Sequence, residues 1–257
     1  MYKVLSLIKF IFKSIGRKIF LSPMVSNLVI NCLHSKTDMN MKKIYNRIRK
    51  KLLSDTNYII VTDYGEGSKV LKGNVRQISR IARYAGIRKR KGELLIRLMN
   101  YLKPKNILEI GTSVGLGTAC LALGSNNSKI ITLEGCPETM NVAENLFKEY
   151  NLNNIKTNVG RFQDTLSDVI WNKKFDFIYF DGNHSKKPTI QYFEQCLSTV
   201  HDGTLFLFDD IYWSREMEKA WEYIMAHKMV SCTFDISGWG LVFFEPKYIK
   251  EHHCILV

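Results

Sequence analysis

From residue 106 onward the chain repeats one pattern: a short apolar run, a polar or glycine-rich break, and then a stretch with helical spacing. The runs are NILEI (106–110), KIITL (129–133), NIKTNV (154–159), FDFIYF (175–180) and TLFLF (204–208). The helical patterns include PETMNVAENLFKEY (137–150) and SREMEKAWEYIMAH (214–227), the second opened by Ser214 as an N-cap. Strands alternating with helices of this length predict an α/β fold with a doubly wound, mostly parallel sheet. VSCTFDI (230–236) and LVFFE (241–245) are separated only by SGWG, too few residues for a crossover helix. They therefore form an antiparallel C-terminal hairpin at one edge, which makes seven strands in all.

In such a sheet a ligand sits outside the carboxyl ends of the strands, so the residues that end each strand carry the chemistry. The first strand runs through Glu109 into a turn with Gly111, Gly115 and Gly117. Glycines there let the backbone approach a ligand and leave helix N-terminal amides free. The spacing is G-x-x-x-G-x-G, not the dinucleotide G-x-G-x-x-G. The second strand ends at Glu134, where a carboxylate can accept both hydroxyls of a ribose. Gly160-Arg161-Phe162-Gln163-Asp164 follows the third and offers an aromatic and an amide to frame an adenine. The fourth ends in Asp181-Gly182-Asn183-His184 and the fifth in Asp209-Asp210. These two strands are neighbours, so Asp181, Asp209 and Asp210 meet at one mouth. Three close carboxylates repel unless a cation sits between them, and their oxygens suit Mg²⁺ or a similar divalent ion.

ILEIGTSVGLG, ITLEG, GRFQD, YFDGNH and FLFDD, in this order and at these strand ends, resemble the motifs of class I S-adenosylmethionine-dependent methyltransferases. Within that class they are similar to the catechol and caffeoyl-CoA O-methyltransferase group and its bacterial relatives. The resemblance covers roughly residues 85–245 and implies a Rossmann-like methyltransferase domain with S-adenosyl-L-methionine as cofactor. It implies that the cofactor is held by Glu109, Gly111, Thr112, Ser113, Gly115 and Gly117, with Glu109, Gly111 and Ser113 along its methionine part. Gly117 stands where the group often has a serine, so backbone amides or Thr118 take over that contact. Glu134 is implied to hold the ribose, Phe162 and Gln163 to flank the adenine, and Asp181 to border the cofactor. Lys91-Gly92-Glu93-Leu94 resembles the stretch opening the helix before the first strand, which puts Ile87 beside the cofactor. Asp181, Asp209 and Asp210 fall on the group's three metal-ligand positions, although the third is usually Asn. His184 replaces a lysine that removes the substrate proton, and a histidine is able to accept a proton at neutral pH. Asp181 and His184 are thus the implied catalytic residues, with Lys186 and Lys187 as nearby stand-ins.

Charge divides the chain in two. Residues 1–105 hold 24 Lys/Arg against 5 Asp/Glu, and residues 106–257 hold 13 against 19. The asymmetry suggests a basic appendage on a mildly acidic body, and the chain is read as a basic, helical N-terminal extension (1–60) and a methyltransferase domain (61–257). Val4, Leu5, Leu7, Ile8, Ile11, Phe12, Ile15 and Ile19 share one arc, with Lys3, Lys9, Lys13 and Arg17 mostly on the other. Such a helix suits peripheral contact with a membrane surface or packing on its own domain, but it is too interrupted by lysines to span a bilayer. MKKIYNRIRKKLLS (41–54) reads as a basic helix, and further helices fall near 74–85 and 91–102. The six cysteines form no C-x-x-C pair, as expected of reduced thiols in a cytoplasmic protein. Trp213 and Trp239 follow strand ends and serve either as pocket walls or as packing residues. His252-His253-Cys254 is too compact to chelate a metal alone.

The leading expectation is a metal-assisted O-methyltransferase acting on a hydroxyl of a small-molecule acceptor. Two other functions fit the same sequence. Clustered Lys/Arg suit contacts to RNA, so a tRNA methyltransferase is one. A non-catalytic membrane-associated module with the same fold is the other. A homodimer is compatible with each.

Overall fold

The computed structural model describes residues 23–64, 73–245 and 250–255. The proposed membrane-facing arc of residues 1–20 lies outside them. Among the described residues no helix is long and apolar enough to cross a membrane.

The chain begins with α1 (Pro23–Leu28), a π-helical turn (Val29–Leu33), α2 (Met39–Ser54), β1 (Tyr58–Ile60), β2 (Val75–Gln77), α3 (Ile78–Tyr84) and α4 (Lys89–Leu102). The alternating part follows as β3 (Asn106–Ile110), α5 (Leu116–Gly124), β4 (Lys129–Glu134), α6 (Pro137–Glu149), β5 (Ile155–Val159) and α7 (Phe162–Ile170). It continues through β6 (Phe177–Phe180), α8 (Lys186–Cys196), β7 (Leu205–Phe208), α9 (Arg215–Ala226), β8 (Cys232–Ile236), β9 (Trp239–Phe243) and β10 (Glu251–Cys254).

β3 to β10 form one sheet in the order β10-β8-β9-β7-β6-β3-β4-β5, in which only β9 runs against its neighbours. The doubly wound sheet and its antiparallel hairpin are as expected, with one strand more than the seven anticipated. That strand, β10, pairs in parallel with β8 at the sheet edge. Its Glu-His-His-Cys sequence has no apolar run to announce it. His252 Nδ1 lies 2.8 Å from Thr233 Oγ1 and His253 Nε2 lies 2.8 Å from Glu251 Oε2. The tail thus closes an edge.

The hairpin turn is shorter than SGWG. Ile236 pairs with Trp239, so only Ser237 and Gly238 lie between the strands, at φ +51° and +90°. Positive φ at both central residues is the turn geometry that matches strand twist, and it frees Trp239 and Gly240 to be strand. Likewise, the helix expected over 74–85 starts only at Ile78, because Val75–Gln77 pairs with β1. The Ser214 cap forms as expected, its Oγ accepting the Met217 N–H at 3.2 Å.

Side chains alternate across the central strands. Ile107, Phe177, Tyr179, Leu205 and Leu207 face one apolar layer, built by α2 to α6. Leu108, Ile110, Ile178, Phe180, Phe206 and Phe208 face the other, built by α7, α8 and α9. Helix α2 belongs to the first layer. Asp38 caps it by accepting the N–H groups of Asn40 and Met41 at 2.9 and 3.0 Å, and its Tyr45, Ile48 and Leu52 are buried in that core. Lys42 and Lys51 of the same basic helix pair with Glu93 and Glu149 at 3.0 and 2.8 Å.

Gly92 lets the first turn of α4 pack against Tyr45 of α2. A Cβ there would lie 2.2 Å from the Tyr45 hydroxyl and 2.4 Å from its Cζ, and Tyr45 is fully buried. Gly92→Ala is expected to destabilise the protein by about 1–3 kcal/mol through overpacking, read from urea unfolding midpoints. In a Tyr45→Ala background, which removes the ring, the same step is expected to lose most of that cost.

Candidate active site

The strand order reverses between β3 and β6, and the crevice outside their carboxyl ends is where such sheets bind ligands. Leaving β3, the chain turns at Gly111 (φ +113°), where a Cβ would stand 2.5 Å from the Asp181 carbonyl oxygen. Glycine is required for that approach, and it brings the turn against the loop after β6. The N–H groups of Gly111 and Thr112 donate to the Leu133 carbonyl at 3.0 and 3.1 Å. Ser113 N–H donates to Glu134 Oε2 at 2.7 Å and Cys136 N–H to Oε1 at 2.9 Å. Burial raises the Glu134 pKa against these hydrogen bonds. Glu134 still faces the crevice.

These residues open onto a cavity of about 700 Å³. Gly111, Ser113, Glu134, Phe162 and Gln163 line it together with Asp181, His184, Asp209 and Asp210. Ile87 and Trp213 are also in the wall. A Cβ on Gly182 would collide with Phe162 at 2.5 Å, which fixes that ring at the β6 end; its other edge meets Tyr192 in a T-shaped contact at 5.9 Å.

Four residues expected to hold the cofactor stand behind the wall. Glu109 is fully buried, its Oε2 accepting the hydroxyls of Thr118 and Thr132, the latter at 2.6 Å. Thr112 spends its hydroxyl on Thr132 and the Leu133 carbonyl. Gly115 is tucked against Ala143 and Phe147, and Gly117 against Glu109. These residues shape the turn from below. Thr118, the stand-in for a missing serine, points at Glu109.

Parallel pairing of β6 with β7 brings Asp181 and Asp209 together as expected. The Tyr179 hydroxyl lies 3.1 Å from Asp181 Oδ2 and 3.1 Å from Asp209 Oδ2, so its single hydrogen bridges one of them at a time. Lys91, from the first turn of α4, makes an ion pair with Asp209 Oδ1 and approaches Asp210 Oδ1 at 3.9 Å. The Asp210 N–H also donates to Asp209 Oδ1, at 2.6 Å. Asp210 is left-handed at φ +52°, a conformation in which Asp and Asn are favoured. His184 Nε2 is 3.8 Å from Asp181 Oδ1, and its ring is 6.2 Å from that of Trp213.

Burial and the charges of Asp209 and Asp210 raise the Asp181 pKa well above the usual carboxylate range. Burial also pushes Asp209 up, but the Lys91 charge and hydrogen bond outweigh it and hold that carboxyl low. Asp209 Oδ1 is thus engaged by an ammonium and a backbone N–H, and Oδ2 faces the shared Tyr179 hydroxyl. In this arrangement the trio does not fit a divalent cation, which would have to displace Lys91. Among the described residues no group of three His, Cys, Asp or Glu side chains is set to hold a metal ion.

Several wall residues carry no motif that would single them out in the sequence. Tyr64 lies under the Arg161 guanidinium at 4.7 Å, Arg76 pairs with Asp63 at 3.2 Å, and Tyr212 lines the same cavity. Tyr179 is hidden inside an apolar run; only its pairing with Glu109 across β3 and β6 marks a polar position within the core. Trp239 is a packing residue, fully buried against Tyr179 at 6.2 Å.

Residues 108–211 match the model of a methyltransferase domain. The chain is 30% identical over 125 residues to a catechol O-methyltransferase of Niastella koreensis, covering 47% of this chain and 56% of that one. It is 27% identical over 123 residues to a catechol O-methyltransferase of Mycobacterium tuberculosis, covering 47% and 54%. The chain thus spans about half the length of the curated relatives it matches. In three dimensions it is similar to an S-adenosylhomocysteine-bound methyltransferase of Podospora anserina, with a TM-score of 0.61 at 15% identity, covering 90% of this chain and 99% of that one. A Bacillus cereus O-methyltransferase in complex with S-adenosylhomocysteine gives 0.54 at 21% identity, covering 85% and 95%.

Buried Glu109 makes stability depend on pH. Burial lifts its pKa from 4.5 to about 7, against the hydrogen bonds of Thr118 and Thr132. The folded state therefore holds the proton more tightly than the unfolded chain. This contribution is fully present below pH 4.5 and is lost as pH rises through about 7. At about 1.4 kcal/mol per pKa unit, Glu109→Gln is expected to gain roughly 3 kcal/mol relative to wild type between pH 5 and pH 8. Urea unfolding of ligand-free protein across that range measures it.

Proposed function

We propose that this chain, whose residues 108–211 match a methyltransferase domain, is a class I S-adenosylmethionine-dependent O-methyltransferase acting on a hydroxyl of a small-molecule acceptor. One observation carries the reading. Glu134, suited to a ribose, and the Asp181–His184 pair, suited to proton removal, face the same cavity from nearby strand ends. The names of the curated relatives, catechol and caffeoyl-CoA O-methyltransferases, support a hydroxyl as the group methylated.

The residues divide the work along the crevice. Glu134 accepts the ribose hydroxyls while two backbone N–H groups hold its carboxylate in place. Gly111 and Ser113 present the turn to the methionine part, and Phe162 and Gln163 frame the adenine. S-adenosylmethionine, when bound, supplies a sulfonium methyl group that passes to the acceptor oxygen while sulfur keeps the bonding pair, leaving S-adenosylhomocysteine. His184 takes the hydroxyl proton, with Asp181 Oδ1 3.8 Å from its Nε2. Trp213, next to His184, walls the acceptor side.

Calorimetric titration with S-adenosylhomocysteine tests the cofactor half. Wild type is expected to bind, and Glu134→Ala to weaken binding by about 1.5–3 kcal/mol, the range for hydrogen bonds to a charged group. Folded wild type that does not bind would sink the reading. His184→Ala is expected to keep that affinity and lower kcat by about 10²–10⁴-fold on any acceptor that turns over.

A further inference from the structure

The charge balance of the acidic cluster deepens the proposed methyltransferase reading, on which it rests. Asp181, Asp209 and Asp210 crowd one mouth, and such a group needs a cation. Lys91 already provides one. Its ammonium pairs with Asp209, lies 3.9 Å from Asp210 Oδ1 and sits over the Trp239 ring, 5.3 Å from the centroid. It comes from the first turn of α4, which has no acidic residue of its own. The positive end of a helix dipole disfavours an ammonium there, so the placement depends on what faces it: two carboxylates and an indole. Lys91 also lines the cavity, and the Tyr179 hydroxyl lies 3.1 Å from the second Asp209 oxygen.

We propose that Lys91 is the built-in cation of this active site: its ammonium takes the place beside Asp209 and Asp210 that a divalent ion would need, and meets the negative charge developing on the acceptor oxygen. The acceptor proton still leaves to His184, and the oxygen still takes the methyl group. Lys91 changes neither the atoms nor the electrons of the transfer. It replaces a metal ion's charge with a fixed side-chain charge whose three N–H donors are split between carboxylates and acceptor. A divalent ion and Lys91 exclude each other at Asp209.

The test uses the full chain and Mn²⁺ as probe. Electron paramagnetic resonance titration is expected to show no Mn²⁺ uptake by wild type that depends on Asp209. Lys91→Met opens the carboxylates and is expected to bind Mn²⁺ at least about tenfold more tightly, an effect lost again in Lys91→Met/Asp209→Asn. In turnover, wild type is expected to be indifferent to EDTA. Lys91→Met lowers kcat by about 10²-fold with unchanged affinity for S-adenosylhomocysteine, and Lys91→Arg, which keeps the charge, restores part of it. One Mn²⁺ per wild-type chain that Asp209→Asn removes would overturn the proposal. So would loss of wild-type turnover in EDTA with recovery in Mg²⁺, or a Lys91→Met kcat within twofold of wild type. If Lys91→Met does not fold, by circular dichroism, the wild-type titration and Lys91→Arg decide. Failure to bind S-adenosylhomocysteine counts against the methyltransferase reading alone, because Mn²⁺ uptake is read without cofactor or turnover.

Discussion

Strands β6 and β7 run parallel and in register, Phe180 opposite Phe208, so the next residues, Asp181 and Asp209, must emerge side by side. Nothing in the sheet can separate them, and the low-dielectric surroundings enlarge their repulsion. The rest of the site answers this constraint. Tyr179 places a hydroxyl between the two carboxylates from below, and Lys91 neutralises Asp209 from the side. Asp181, further from that ammonium, carries the unresolved part of the repulsion and has the raised pKa. That asymmetry separates the roles: Asp209 is an ionised anchor for a cation, while Asp181 is tied to the protonation of its surroundings and to His184.

The same pleat that sorts the core sorts the polar groups. Glu109 and Tyr179 are opposite partners across β3 and β6, on the face otherwise filled by Ile107, Phe177, Leu205 and Leu207. Each is a polar residue at a position where the pattern predicts an aliphatic one. Glu109 draws in the hydroxyls of Thr118 and Thr132, and so ties α5 and β4 to β3 beneath the glycine turn. Tyr179 ties β6 to β7. The floor under the cavity is thus a polar seam within an apolar layer, held by hydrogen bonds whose partners cannot be exchanged for water.

Much of this arrangement is legible in the amino-acid sequence. The five parallel strands stand within two residues of their expected bounds, because each is an apolar run closed by a glycine or a charge. Glu134, Asp181, Asp209 and Asp210 stand out for the same reason: topology alone fixes which residues leave the sheet at its carboxyl edge. The features without a sequence signal are those set by long-range contact. Lys91 meets Asp209 across 118 positions of sequence, and nothing near either residue announces the other. β10 is a strand because β8 offers it a register, although its own residues are polar. Glu109 reads as a ligand-facing carboxylate because it precedes the glycine turn, whereas the alternation of β3 turns it into the core.

The basic N-terminal part acquires a different meaning from the same geometry. Arg49 of α2 donates to the Ile87 carbonyl at 2.8 Å, just before α4 begins, and Tyr45 of α2 presses on Gly92. Lys91 lies between these two contacts in sequence, and the methyltransferase-domain match starts only at residue 108. The helix that carries the ammonium therefore lies outside the matched region, and α2 touches the chain on either side of Lys91. A positive charge that must be held within hydrogen-bonding reach of Asp209, against a helix dipole that opposes it, needs a rigid support. Two contacts from α2, Arg49 to the Ile87 carbonyl and Tyr45 against Gly92, flank the residue that carries the charge. In this arrangement the helix that reads as an appendage by charge belongs by packing to the core beneath the candidate site.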